Sequence, residues 1–487
     1  MASSSSLSTA PPIKKLINLI RGWPSPHLLP SELLRASANK TLSDPSIFIP
    51  ALQYGPDPGY EPLREALAVW LGRAYHGADQ DEEPLTEKAN EICITGGASQ
   101  SIACMLQSFT DPAYTRAVWA VAPCYFLACN IFEDAGFRGR LRAVPEDDEG
   151  INLAALEKGL RSFNNDDESG NPKPGQQQPY KSPLPDRKLY RHVIYVVPTC
   201  ANPSGKTMSL RRREGLVRLA RKYDALVICD DVYDFLQWPV IPPSSSSLPT
   251  PVDLVPPLPR LSDIDMALGP SAFDHQGKHF GHAVSNGSFS KLVSPGMRTG
   301  WAHGTPDLAK GLSQTGSTRS GGAPSQLSAA LIREMLVSGE LDGHLKGKTR
   351  PALQRRHARA VAAVKEELGW AGVKALERSE PYDADANGNV NGHGGEKEVF
   401  GGYFIWLTLP EGGPQAKEVA ERAQREENLV VAPGSIFEVA GDEDAARFGR
   451  NIRICFSWEE EDDVVEGIKR LGKVLRRMAR PAVSNDE

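Results

Sequence analysis

Seven short strand-like runs separated by stretches of helical periodicity narrow what this chain can fold into. They fall at residues 91–95, 117–121, 141–144, 193–197, 226–229, 283–286 and 300–304. Runs that stay apolar on both alternating positions read as strands covered on both faces. With helices such as 210–223 between them, they predict an α/β fold with a mostly parallel seven-stranded sheet covered by helices. After a long helix beginning near Ala323, the runs 400–409, 429–432 and 451–457 alternate with two more helices and predict a smaller α/β C-terminal domain. The expected division is an N-terminal arm at 1–45 packing with the small domain, a large domain at 46–330 and the small domain at 331–487. At 487 residues and 40% hydrophobic composition, the chain has enough material for both cores.

Composition excludes several functions. A formal net charge of -6 offers no footprint for nucleic acid. No apolar run approaches the roughly 18 to 20 residues that span a bilayer. Seven cysteines, odd in number and without a CxxC pair, read as reduced core thiols rather than a disulfide frame or a zinc site, and no metal is expected. The N-terminal stretch has no acidic residue before Glu32 but lacks the spaced arginines of a transit peptide, so the expectation is a cytoplasmic protein. Stretches 164–188, 239–259 and 379–398 are too polar or Pro-rich to bury a core and read as surface insertions; the second, between Tyr233 and Lys291, reads as padding rather than a lid.

Chemistry concentrates in Ser288-Phe289-Ser290-Lys291 and Pro295-Gly296-Met297-Arg298. One amine among small hydroxyls, with a guanidinium seven positions on, suits an aldehyde cofactor that carries a phosphate. A lysine forms a Schiff base with pyridoxal phosphate only if its ammonium pKa is depressed, which partial desolvation and a nearby cation achieve. Arg298 can supply that field while gripping the phosphate, and Ser288 and Ser290 can donate to phosphate oxygens without crowding the ring. The strand run 225–229 ends in Asp230-Asp231-Val232-Tyr233. A carboxylate there can keep a pyridine nitrogen protonated, and the residues alone leave Asp230 and Asp231 both open. In the strand 451–457, alternation puts Arg453 and Cys455 on one face. A buried arginine is costly unless it meets an internal carboxylate or an anionic ligand, and both remain open.

Taken in order, Gln53-Tyr54-Gly55, Thr95-Gly-Gly-Ala98-Ser99-Gln100, Pro123-Cys-Tyr125, Asn202-Pro203-x-Gly205, Asp230-x-x-Tyr233, Ser288-x-Ser-Lys291, Arg298 and Asn451-Ile-Arg453 give the chain a clear resemblance. It resembles the fold type I pyridoxal-phosphate enzymes of the class I and II aminotransferases, and within them the kynurenine and 2-aminoadipate aminotransferase branch with its fungal relatives. The resemblance runs from about residue 18 to about residue 472.

It implies that Lys291 carries the cofactor as an internal aldimine and shuttles the proton between the substrate α-carbon and the cofactor. It selects Asp230 for the ring nitrogen, Asn202 and Tyr233 for the phenolic oxygen, and Tyr125 to stack on the ring. Ala98 and Ser99, at a helix start, would join Ser288, Ser290 and Arg298 around the phosphate. Arg453 would anchor the substrate α-carboxylate beneath Gly22, with Asn202 beside it. Tyr54 would reach the phosphate of the neighbouring subunit, making the enzyme a homodimer.

The expected activity is transfer of an amino group from an L-amino acid to a 2-oxo acid. Elimination, β- or γ-replacement and carbon–carbon bond formation are the alternatives on the same scaffold. A regulator carrying this domain behind a helix-turn-helix is a further reading, disfavoured because the domain begins near Asn18. Loops near 17–23, Phe126 and 317–322 are expected to line the pocket, and no second arginine is placed by the sequence to meet a side-chain carboxylate.

Overall fold

The computed structural model describes residues 14–76, 88–168, 179–182, 184–241, 251–275, 277–322, 324–376 and 398–479. All seven expected runs of the large domain are strands. With one addition, the sheet consists of β1 (Ile92–Thr95), β2 (Ala117–Ala122), β3 (Leu141–Asp147), β4 (Gly150–Ile151), β5 (His192–Val196), β6 (Ala225–Asp230), β7 (Ala283–Ser288) and β8 (Gly300–His303). Their spatial order is β1-β8-β7-β6-β5-β2-β3-β4. The seven-strand expectation is thus corrected to eight. The extra strand, β4, is a two-residue antiparallel edge on β3, made by a turn in which Asp147 Oδ1 accepts from the Glu149 amide at 3.0 Å.

Direction decides where the site lies. Strands β2, β3, β5, β6 and β7 are mutually parallel. Strand β8 runs antiparallel to both neighbours, with Gly300 opposite Thr95 of β1 and Ser288 of β7. The ends of β1, β6 and β7 and the entry to β8 therefore share one rim, which is where ligands of open α/β sheets bind. Two apolar cores cover the sheet, one on each side. The helix Ala98–Phe109 leaves the rim after β1 and buries Ile102, Met105, Leu106 and Phe109, the i, i+3, i+4, i+7 stripe of a core-facing helix. On the other side, Leu210–Lys222 buries Leu216, Val217 and Ala220, and its start is fixed by Ser209 Oγ accepting from the Arg212 amide at 3.1 Å.

The C-terminal part is built on an antiparallel sheet in the order Lys374–Ala375, Phe404–Thr408, Asn451–Cys455, Ala432–Pro433. The N-terminal Ile17–Asn18 pairs in parallel with Leu429–Val430, and Leu19 O accepts from the Cys455 amide at 2.7 Å. The expected run 400–409 breaks at Gly401–Gly402. Its first piece, Val399–Gly401, pairs with Gln237–Pro239, and its second, Phe404–Thr408, enters the small sheet. The run 429–432 likewise splits at Val431 into two short strands. The helix expected near Ala323 starts at Gln326 and ends at Val337, with Ser325 Oγ accepting from the Ser328 amide at its start; the longer helix Arg350–Leu368 follows it. Much of the expected insertions 164–188, 239–259 and 379–398 lies outside the described residues, as does the stretch 1–13. No helix of the described residues is long and apolar enough to cross a membrane. All seven cysteines are buried and none is joined in a disulfide.

Candidate active site at the sheet rim

A cavity of about 420 Å³ opens at this rim. Of the thirteen residues singled out from the sequence, twelve line it: Gly22, Ala98, Ser99, Tyr125, Asn202, Asp230, Tyr233, Ser288, Ser290, Lys291, Arg298 and Arg453. The exception is Tyr54, which is 86% exposed on the chain surface.

One end of the cavity is an anion cup. Gly97 precedes the helix Ala98–Phe109 with φ of 96°, a conformation that favours glycine, and a Cβ there would stand 2.7 Å from Arg298 Nη2. The first-turn amides of Ala98 and Ser99 have no acceptor within the helix, and the helix dipole adds positive charge at the same place. Asn286 Nδ2 donates to Ala98 O at 3.1 Å, pinning the helix start to β7. Arg298 crosses the rim, donating through Nη2 to Gly96 O at 2.8 Å and through Nη1 to Pro295 O at 2.8 Å and Ser290 Oγ at 3.3 Å. Ser288 Oγ in turn donates to Ser290 Oγ at 3.0 Å.

At the end of β6, Asp230 lines the cavity and Asp231 does not. Burial pushes the Asp230 carboxyl up to about 6, against a hydrogen bond from Tyr195 Oη to Oδ2 at 2.8 Å. Its Oδ1 is buried without a hydrogen-bond partner, leaving a strong acceptor available. Asp231 instead lies among Asp234, Arg213 and Arg260; burial and then the Asp234 charge hold it well above the ordinary carboxylate range. Lys291 Nζ donates to Gly22 O at 2.6 Å. Burial lowers its ammonium to about 8, against the raising influence of Cys455 and Asp230. The cation that assists this lowering is Arg453 and not, as the sequence suggested, Arg298.

Arg453 is 3% exposed, and no carboxylate of the described residues pairs with it. Its guanidinium lies 4.0 Å from the Phe404 ring centroid and 4.8 Å from that of Phe437. Nη1 donates to Asn202 Oδ1 at 2.7 Å and Nη2 to Ile20 O at 2.6 Å, while Nε is buried without a partner. Burial lowers it to about 10, so it stays charged at neutral pH. Gly22 is needed here for space: a Cβ would stand 2.7 Å from Phe404 Cζ. Tyr125 forms part of the wall, its phenol pushed up to about 12 by burial and then by Asp230. Tyr233 is buried against the rings of Tyr403 and Phe404.

The sequence reading missed Tyr195, Phe404 and Val232. Tyr195 sits inside a run that reads as plain strand; only its place beside the strand ending in Asp230 gives it a role. Residues 17–23 contribute Ile20, Arg21, Gly22 and Trp23, and Phe126 is joined by Leu127, whereas 317–322 lies away from the cavity of this chain. Arg21, which nothing in the sequence singles out, is among the lining residues.

An anion cup, a carboxylate with an unfilled acceptor, an amine of lowered pKa and a buried guanidinium without a carboxylate partner among the described residues thus share one cavity. The sequence model of the family described as Aminotransferase class I and II matches residues 32–471. An uncharacterised protein of Saccharomyces cerevisiae is 34% identical over 481 residues, covering 96% of this chain and 98% of its own. Aromatic-amino-acid aminotransferase 1 of Thermococcus litoralis is 26% identical over 461 residues, covering 95% and 88%. Among solved structures, kynurenine aminotransferase from Pyrococcus horikoshii superposes with a TM-score of 0.68 at 26% identity, covering 96% of this chain and 92% of that one.

Proposed function

The chain belongs to the class I and II aminotransferases, and from that premise we propose that the rim cavity is its active site, with each residue in a defined task. The enzyme is pyridoxal-phosphate-dependent and moves an amino group from an amino acid to a 2-oxo acid. The observation that carries the assignment is the meeting of Lys291, Asp230 and Arg453 around one cavity. The free Oδ1 of Asp230 and the cup of Ala98, Ser99, Ser288, Ser290 and Arg298 fit the two polar ends of the cofactor.

When bound, the cofactor supplies an aldehyde that takes up the amino group and a ring that stabilises negative charge at the substrate α-carbon. The cup holds its phosphate, Asp230 keeps the proton on the ring nitrogen, and Tyr195 holds Asp230 in place. Tyr125 covers the ring face and excludes water. Asn202 and Tyr233 stand at the phenolic side. Arg453 holds the α-carboxylate as a bidentate fork, which orients the α-carbon toward Lys291. Lys291 Nζ, neutral in a large fraction near pH 8, would act as the base that takes up and gives back the proton at the substrate α-carbon.

Aromatic amino acids and kynurenine lead the donors to be screened, because relatives carry those names and Trp23, Phe126 and Phe404 wall the cavity. We assign the enzyme to the cytoplasm as a homodimer in which Tyr54 serves the neighbouring site; its exposure beside Gly321, away from its own cavity, supports this. We divide the chain into an arm at 1–45, a large domain at 46–330 and a small domain at 331–487. In the deciding experiment, the holoenzyme is reduced with borohydride and peptide-mapped, while donors are screened against pyruvate and 2-oxoglutarate. Label on Lys291, together with loss of turnover but retention of cofactor in Lys291→Ala, is the expected result. Label on another lysine overturns the assignment.

A further inference from the structure

Lys291 Nζ lies 5.2 Å from the centroid of the Tyr403 ring, and Tyr403 Oη donates a long hydrogen bond of 3.4 Å to the carbonyl of the same lysine. One aromatic side chain thus meets both ends of one residue. The ring is buried, lines no part of the cavity and stands edge to face with Tyr233 at 5.6 Å. Its place is set by the break at Gly401–Gly402. Gly402, with φ of 70°, donates its amide to Leu236 O at 2.9 Å, and Tyr403 O accepts from the Phe456 amide at 3.0 Å. That turn takes the chain out of its pairing with Gln237–Pro239 and brings the ring against the amine.

The amine therefore meets two electron-rich surfaces, Gly22 O at 2.6 Å and the negative face of the ring. The charged and titratable groups around it are Asp230 from β6, and Arg453 and Cys455 from the strand Asn451–Cys455; Cys455 Sγ is engaged with Ser457 Oγ at 3.1 Å. Arg356 and Cys455 face the Tyr403 phenol, which burial, and then Cys455, push far above its ordinary value, so the ring stays neutral. Burial opposes the ammonium form of Lys291. A π face favours that form without offering a carboxylate that would lock the amine into an ion pair.

We propose that Tyr403 is a positioning residue for the catalytic amine: its ring face holds Lys291 Nζ in the protonated form, against Gly22 O, while that amine carries the α-proton taken from the substrate. The proposal rests on the assignment of Lys291 as the residue that moves this proton. The ring makes and breaks no bond; it lowers the energy of the charged amine alone, and so makes Lys291 a stronger base than burial by itself would leave it.

The test replaces Tyr403 by phenylalanine and by its 4-fluoro, 3,5-difluoro and 3,4,5-trifluoro analogues, which drain the negative face of the ring while barely changing its volume. The first readout is the pH midpoint of trinitrobenzenesulfonate labelling at Lys291 in cofactor-free protein, followed by mass spectrometry. It stays near the wild-type value in Tyr403→Phe and falls along the fluorinated series by about one unit in all, the roughly tenfold effect of a partly desolvated cation–π contact; Tyr403→Leu falls as far. In the cofactor-loaded enzyme, at a pH above every midpoint of the series, exchange of the donor's α-proton with solvent slows in the same order. A midpoint that is flat across the fluorinated series overturns the proposal. So does a midpoint that drops as far in Tyr403→Phe as in Tyr403→Leu, which gives the effect to the hydroxyl, or proton exchange that ignores the order. Failure of the Lys291 assignment has a separate signature: borohydride then places its label on another lysine, whether or not the Lys291 midpoint moves.

Discussion

Neighbouring aspartates at the end of β6 differ in everything except sequence position. Asp230 lines the cavity with Oδ1 free, and Asp231 is buried in a charge cluster away from it. Asp230→Asn should lower kcat and kcat/KM together by about 100-fold or more, as expected when an interaction specific to the transition state is removed. Asp231→Asn should appear in the melting temperature instead, and the reverse pattern in steady-state kinetics and thermal unfolding would reject the assignment. Lys291 offers a pH test. Because its folded-state pKa is lowered to about 8, the neutral, nucleophilic amine accumulates above that pH rather than near the usual 10.5. In cofactor-free protein, trinitrobenzenesulfonate labelling of Lys291, followed by mass spectrometry, should rise through about pH 8 and level off while surface lysines are still rising. The sequence supplied two candidate aspartates and no means of choosing by geometry. Strand parity and the depth of the rim make the choice, and both are properties of the assembled sheet.

At the scale of elements, the cup depends on how β1, the helix Ala98–Phe109 and β8 meet. The link from Thr95 to Ala98 turns into the helix beneath Arg298 through an extended, positive-φ conformation at Gly97 (φ 96°, ψ 167°). Gly97→Ala should cost about 1–3 kcal/mol of stability from the backbone conformation and, by pushing Arg298 aside, weaken cofactor binding by about 10-fold, the effect of losing roughly one charge-assisted hydrogen bond. Differential scanning fluorimetry and cofactor titration separate the two effects; normal cofactor affinity in this variant would remove Arg298 from the cup. The seven longer strands of the large sheet were legible because each is a run of four to seven mostly apolar or small residues between helical stretches. The short pieces Gly150–Ile151, Val399–Gly401 and Ala432–Pro433 were not, because two or three residues carry no period and are fixed only by their partners. The place of Arg21 on the cavity wall was not legible for the same reason: its loop has no pattern, and its side chain is held by indoles 2 and 437 residues away along the chain.

Across the whole molecule, a cup at the rim of the eight-stranded sheet shares a cavity with a guanidinium carried by the four-stranded sheet, and Tyr54 lines no part of it. If Tyr54 completes the neighbouring site, subunits carrying Tyr54→Ala and subunits carrying Lys291→Ala should regain partial activity when mixed, since the hybrid dimer has one site with neither lesion. The check is turnover after subunit exchange proven by mass spectrometry; proven exchange without recovery, or an active monomer by light scattering, ends the shared-site reading. On the proposed reading Tyr54 acts only across a subunit boundary, so no contact within one chain reports its role. The arm has a different consequence. Ile20, Gly22 and Trp23 offer their carbonyls in turn to Arg453, Lys291 and Ser457, so the course of the arm's backbone sets three side chains at once. Anything that strips the arm from its pairing with Leu429–Val430 therefore loosens the anchor and the amine together.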